Sequence, residues 1–162
     1  MSTTSPPPEE LSAQGMRFAL VATRWNAGIV EQLLQGAQKA LAARRAENVR
    51  VHRCAGVFEL GPLAVRVARG GEIDGLIALG CLIRGGTDHY RVLCDEVTRA
   101  LGALAMEAAG APHPLAVAFG VLTCETAEQA QERADPRGSD KGGEAALACI
   151  EQVHAFRSVV ER

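Results

Sequence analysis

Asp74 to Tyr90 reads DGLIALGCLIRGGTDHY, and its order of segments decides the fold class. Gly75 to Cys81 is an apolar run of strand length, bounded by glycine. It passes into a glycine-containing loop, and an amphipathic stretch follows from about Asp88 to Ala109. The same alternation extends in both directions. Upstream, Arg17–Thr23 and Val49–Cys54 have strand character. Between them, Ala27–Ala46 places Val30, Leu33, Leu34, Ala37 and Leu41 at helical spacing, and a further helix is predicted from about Pro62 to Arg69. Downstream come a strand at Leu115–Val121 and helices at Thr126–Arg133 and Lys141–Val160. Strands separated by helices pair in parallel, because parallel neighbours need long crossovers. A three-layer, doubly wound α/β domain with a four-stranded parallel sheet is therefore expected. Ligands of such sheets bind beyond the carboxyl ends of the strands, which directs attention to the loop after each strand.

The totals agree with one soluble enzyme-sized domain. A chain of 162 residues buries roughly two thirds of its unfolded surface. We divide it into a mobile proline-rich segment, residues 1–14 with Pro6 to Pro8, and a single domain over residues 15–162. No apolar run reaches spanning length and no secretory leader is visible, so a cytoplasmic location without a membrane partner is expected. The net charge of −2 comes without a basic cluster, which argues against nucleic acid. The five cysteines, Cys54, Cys81, Cys94, Cys124 and Cys149, lack metal-ligand spacing and read as free, mostly buried thiols.

Four loops carry chemistry-bearing residues. After the third strand, Gly85 and Gly86 permit a tight turn with inward-facing amides, and Thr87 can cap the next helix, whose N-terminus adds partial positive charge. A phosphate fits this pattern; so does an ordinary strand-to-helix loop. His89 falls in the first turn of that helix, where the dipole opposes a positive ring, the profile of an acid/base group. After the first strand stand Trp25 and Asn26. An indole stacks on flat heterocycles and an amide reads ring edges, although Trp25 packing the helix and Asn26 capping it is the plainer reading. After the second strand come Gly56, Phe58 and Glu59, where Glu59 is an acceptor for a polyol or a solvent-facing helix-start residue. Arg133 and Lys141 flank the turn ADPRGSD, and either offers a charge-assisted donor to phosphate.

Five pieces in their order along the chain, RFALVATRWN, GVFEL, DGLIALGCLIRGGTDHY, AVAFGVLTCETAEQAQERA and DKGGEAAL, resemble the lumazine synthase family from about Arg17 to Val153. The resemblance implies a flavodoxin-like sandwich assembled as pentamers, or multiples of pentamers up to a sixty-subunit shell, with riboflavin synthase as an associated partner. It implies no metal and no cofactor. The implied reaction joins 5-amino-6-(D-ribitylamino)uracil to 3,4-dihydroxy-2-butanone 4-phosphate. By the same resemblance, Trp25 stacks on the pyrimidine beside Asn26, and Val57, Phe58 and Glu59 grip the ribityl chain. Leu82 and Ile83 line the pyrimidine pocket, and Gly85, Gly86, Thr87 and Arg133 hold phosphate. His89 moves protons, Phe119 is contributed by the adjacent subunit, and Lys141 lies near the ribityl or uracil end.

The chain also departs from the family pattern. Gly61 stands where proline is usual, with Pro62 one place later. Asp140 replaces an asparagine, Arg91 replaces a common acidic residue, and GAPHPLA before the fourth strand is longer than usual. A flavin or lumazine carrier, or a shell-forming relative with little activity, is the alternative functional reading. The presence of both His89 and Arg133 favours the enzyme, since a carrier needs no proton shuttle.

Overall fold

The computed structural model describes residues 10–160. Four parallel strands lie in the order β2-β1-β3-β4, with β1 at Arg17–Thr23, β2 at Asn48–Cys54, β3 at Gly75–Ile83 and β4 at Ala116–Cys124. This is the flavodoxin-like arrangement expected. The central strands β1 and β3 are apolar and buried nearly throughout, as a strand covered on both faces must be. At one edge, β2 exposes Arg50 and Arg53, and charged side chains discourage unwanted edge pairing.

Helices α1 (Ala27–Ala43), α4 (Ala127–Ala134) and α5 (Lys141–Val160) cover one face around Phe18, Leu20, Leu33, Leu41, Ile77 and Ile150. Helices α2 (Val57–Ala68) and α3 (His89–Ala109) cover the other around Val21, Leu60, Leu76, Val97 and Leu101. The α1–α5 crossing is unusually close. A Cβ at Gly142 would overlap the Leu33 carbonyl oxygen, and one at Gly36 would overlap the Asp140 carboxylate. Glycine is required there by space.

Three sequence expectations need correction. Helix α2 begins at Val57, five residues before Pro62, and carries Pro62 inside it. Gly56 is its extended N-cap, and Glu59 Oε2 accepts the Gly56 N–H at 3.0 Å. These end interactions start the helix early, while Pro62 omits only one hydrogen bond of the ladder, to the Phe58 carbonyl. Strands β3 and β4 run on to Ile83 and Cys124, because their ends pair with each other. Finally, residues 1–9, including the three prolines, lie outside the described residues, but the rest of the expected mobile segment is held. Leu11 packs against the core and Ala13 is fully buried. The Ala13 N–H bonds the Arg44 carbonyl at 2.7 Å, and His154 Nε2 donates to the Ser12 carbonyl at 2.7 Å.

The departures from the family pattern have local explanations. Gly61 lets α2 approach α3, since a Cβ there would lie 2.9 Å from that of Ala100. Asp140, at φ 41, accepts the Gly143 N–H on Oδ1 at 3.0 Å and so caps α5. Aspartate and asparagine both cap helices and tolerate left-handed backbone. Arg91 pairs with Asp95 one turn along α3, at 3.7 Å.

Candidate active site

The carboxyl ends of β1, β2 and β3 gather most of the expected residues. Trp25 follows β1 and is 72% exposed, far from a packing role between helix and sheet. Its backbone is fixed: the Trp25 N–H donates to the Ala55 carbonyl at 3.1 Å, and the Arg24 N–H reaches the Cys54 carbonyl at 3.0 Å. Asn26 adopts φ 58 and makes no capping bond with its side chain. Its Nδ2 instead donates to the Cys81 carbonyl at 2.9 Å, tying the first loop to β3 and leaving Oδ1 without a hydrogen-bond partner among the described residues. Asn26 is thereby a strut with one unused acceptor.

Gly56 joins this loop to the next. An added Cβ would sit 3.3 Å from Trp25 Cδ1 and 3.1 Å from Glu59 Oε2. The indole edge and the Glu59 carboxylate therefore share one small space over Gly56, whose own φ of −140 is ordinary. Glu59 both completes the helix start and stays beside Trp25, so its two sequence readings coexist. Val57 is buried at the first position of α2, while Phe58 beside it is 59% exposed. A cleft of about 210 Å³ is lined by Arg24, Trp25, Asn26 and Ala55. Arg24 and Ala55 were not singled out from the sequence; the available signal was an arginine next to the tryptophan of the first loop.

Leu82 is buried in the α2/α3 core and Ile83 packs on the opposite face, at the last turn of the pleat in β3. Beyond them Gly85 and Gly86 are exposed, and neither has positive φ. Nothing lies within 4 Å of a Cβ placed on either, so their backbone is open to a ligand. Thr87 does not occupy the cap: Asp88 is the N-cap of α3 and makes no capping bond with its side chain. His89 is exposed in the first position of α3, at the same end of the sheet as Trp25.

Arg133 lies in the last turn of α4, exposed, and its charge counteracts the burial that pushes the Cys124 thiol up. Cys124 is the register partner of Ile83, and its carbonyl accepts the Arg84 N–H at 2.9 Å. The Arg133 cation is thus felt at the root of the Gly85–Gly86 loop. Lys141 is less available, because its Nζ pairs with Glu144 at 2.6 Å. Phe119 is not brought together with the others. It stands in the middle of the edge strand β4, in register with Ala78, and is 46% exposed.

Two further features mark the neighbourhood. Thr23 is fully buried, its Oγ1 lacks a hydrogen-bond partner among the described residues, and it lies against Gly80 and Val57 below the Trp25 loop. A larger cleft, about 280 Å³ between α1 and the turn after α4, is lined by Gln32, Gln35, Gln131 and Arg137 among others. It holds none of the expected site residues, so its size does not make it the better candidate.

This geometry defines a class: a flavodoxin-like α/β protein with an aromatic platform, hydrogen-bonding groups and an open glycine loop on the carboxyl rim of its sheet. Comparison with known proteins is more specific. The family model described as 6,7-dimethyl-8-ribityllumazine synthase matches residues 15–157. The chain is 44% identical over 161 residues to the 6,7-dimethyl-8-ribityllumazine synthase of Kineococcus radiotolerans, covering 98% of this chain and 96% of the relative. It is 44% identical over 151 residues to that of Anaeromyxobacter dehalogenans strain 2CP-C, with 92% and 90% covered. The chain belongs to the 6,7-dimethyl-8-ribityllumazine synthase family.

Proposed function

We propose that this chain condenses 5-amino-6-(D-ribitylamino)uracil with 3,4-dihydroxy-2-butanone 4-phosphate to give 6,7-dimethyl-8-ribityllumazine, phosphate and water. The observation that carries the reading is the junction of the first two loops. There Trp25 and Glu59 meet around Gly56, with Asn26 next to Trp25 and tied to β3, in a chain that matches the family over residues 15–157.

The uracil stacks on Trp25, and the unused Oδ1 of Asn26 accepts from a ring N–H. The ribityl chain runs along Val57, Phe58 and the free carboxylate oxygen of Glu59. Leu82 and Ile83 support the ring from β3, and Lys141 reaches its ribityl or uracil end once released from Glu144. The backbone of Gly85 and Gly86, the Thr87 hydroxyl and Arg133 hold the phosphate of the second substrate. Between the two substrates the uracil amine adds to the ketone and water leaves to form an imine. Phosphate then departs by elimination, and the ribitylamino nitrogen attacks the remaining carbonyl carbon and closes the second ring with loss of a second water. His89 moves the protons these steps require, and orientation of the two reactants provides much of the acceleration, up to roughly 7–11 kcal/mol.

Residues 15–162 act as one domain in the cytoplasm. Phe119 serves the site of a neighbouring subunit, which explains its place outside the cluster formed by one chain. Its exposure on an edge strand supports a contact with another subunit, and membership of the family supports a pentamer or a multiple of pentamers, up to sixty subunits, with riboflavin synthase as a companion. Among the described residues no helix is long and apolar enough to cross a membrane. Mixing the protein with both substrates is the test. Lumazine absorbance and fluorescence should appear with stoichiometric phosphate; binding of the lumazine without its formation would instead identify a carrier.

A further inference from the structure

The loop from Arg84 to His89 is bare of packing at Gly85 and Gly86, yet its two ends are bound to each other by side chains that no substrate role has absorbed. The Arg84 guanidinium lies over the Tyr90 ring, 4.7 Å from its centroid. Its Nε pairs with Glu125 Oε2 at 2.6 Å, while the Arg84 N–H holds the Cys124 carbonyl at 2.9 Å. Tyr90 is half-buried on α3, one turn before Cys94. Arg84 opens the loop and Tyr90 follows His89, so one cation–π contact closes the loop across Gly85 to His89. Glu125, from beyond β4, fixes the guanidinium that makes this contact.

We propose that Glu125 and Tyr90 are positioning residues: acting through Arg84, they hold the Gly85–Gly86 backbone and His89 in the geometry that receives the sugar phosphate. Each half of the brace is exposed enough to be weak alone, with Arg84 and Glu125 side chains 50% and 58% accessible. Together they restrain a segment that has few other contacts, and a positioned donor loses effectiveness when its backbone wanders. The effect should therefore fall on the substrate held by this loop and spare the one stacked on Trp25. The inference rests on the phosphate reading given above.

Steady-state kinetics of the full-length protein with each substrate varied tests it. Glu125→Ala and Tyr90→Leu should each raise KM for the sugar phosphate by roughly three- to tenfold. Both should leave KM for the ribitylamino-uracil within about twofold. Tyr90→Phe keeps the aromatic face and should stay near the parent value, a rescue that a purely structural role for the hydroxyl does not predict. The double variant should fall short of the product of the single effects, because both act on Arg84. Glu125→Gln removes the charge at constant shape and stands in if the alanine variant does not assemble. A parental sugar-phosphate KM in Glu125→Gln and Tyr90→Leu, with Arg133→Ala raising it, overturns the brace and leaves the phosphate site standing. A parental value in Arg133→Ala removes the phosphate site itself, and the proposal falls with it.

Discussion

The two ends of the sheet are built to opposite rules. At the amino end, Asp74 gathers the starts of three strands and the end of α5. Its Oδ2 accepts the Arg17 N–H at 2.8 Å, its Oδ1 faces Arg157 at 3.3 Å, and its carbonyl accepts the Ala116 N–H at 3.1 Å. Ser12, Ala13 and His154 close the same end. At the carboxyl end, Trp25 and Phe58 are largely exposed, His89 has no side-chain hydrogen bond among the described residues, and the Gly85–Gly86 backbone lies open. The first end spends its polar groups on the fold. The second leaves the Trp25, Phe58 and His89 side chains exposed, above struts such as the Asn26 bond to the Cys81 carbonyl.

Substitutions should separate the two ends. The largest effect is expected from His89→Ala, which should lower turnover by about 10²–10⁴-fold yet leave detectable product, since orientation survives loss of the proton shuttle. Its thermal midpoint should match the parent. An unchanged rate in a stopped-flow assay removes His89 from the mechanism.

Gly142→Ala should do the reverse. Its Cβ meets the Leu33 backbone, which has no flexible end to yield, so stability should drop by about 1–3 kcal/mol in urea titration. The Michaelis constants of the folded fraction should hold. A fully stable Gly142→Ala protein would mean that α1 and α5 do not cross this closely.

A smaller effect is expected from alkali. Burial pushes the Cys81 and Cys149 thiols from the ordinary value near 9 up to about 12. Because the folded-state values are raised, the folded protein keeps these protons more tightly than the unfolded chain. Their contribution is complete below pH 9 and is lost as pH rises toward 12. Urea midpoints should therefore fall across that window, and thiol reagents at pH 8 should spare both residues until the chain unfolds. Rapid labelling of Cys149 in the native protein would contradict its burial.

Much of this was legible in the sequence, for identifiable reasons. Apolar runs and helical spacing set the order of elements, and strand order follows once the sheet is parallel and flavodoxin-like. Pro62 misled the placement of α2, because a proline reads as a boundary while the Gly56–Glu59 bond that starts the helix earlier is a contact between side chain and backbone. The glycines at 85 and 86 drew attention to a loop whose backbone lies open. Trp25 and Glu59 could be brought to one place only with the family pattern, since their meeting over Gly56 joins residues distant in the chain. The Arg84, Tyr90 and Glu125 brace left no periodic trace at all, because it unites the ends of β3 and β4 with the start of α3. Phe119 stands apart from the Trp25 and Glu59 cluster, in the middle of the edge strand β4.

The chain has one tryptophan, and it stands on the proposed platform. Titrating the protein with 6,7-dimethyl-8-ribityllumazine while recording indole emission therefore reports directly on where the product sits. Saturable quenching that disappears on addition of excess ribitylamino-uracil is the expected result. Binding of the lumazine with Trp25 emission unaltered would place the ligand elsewhere and contradict the account.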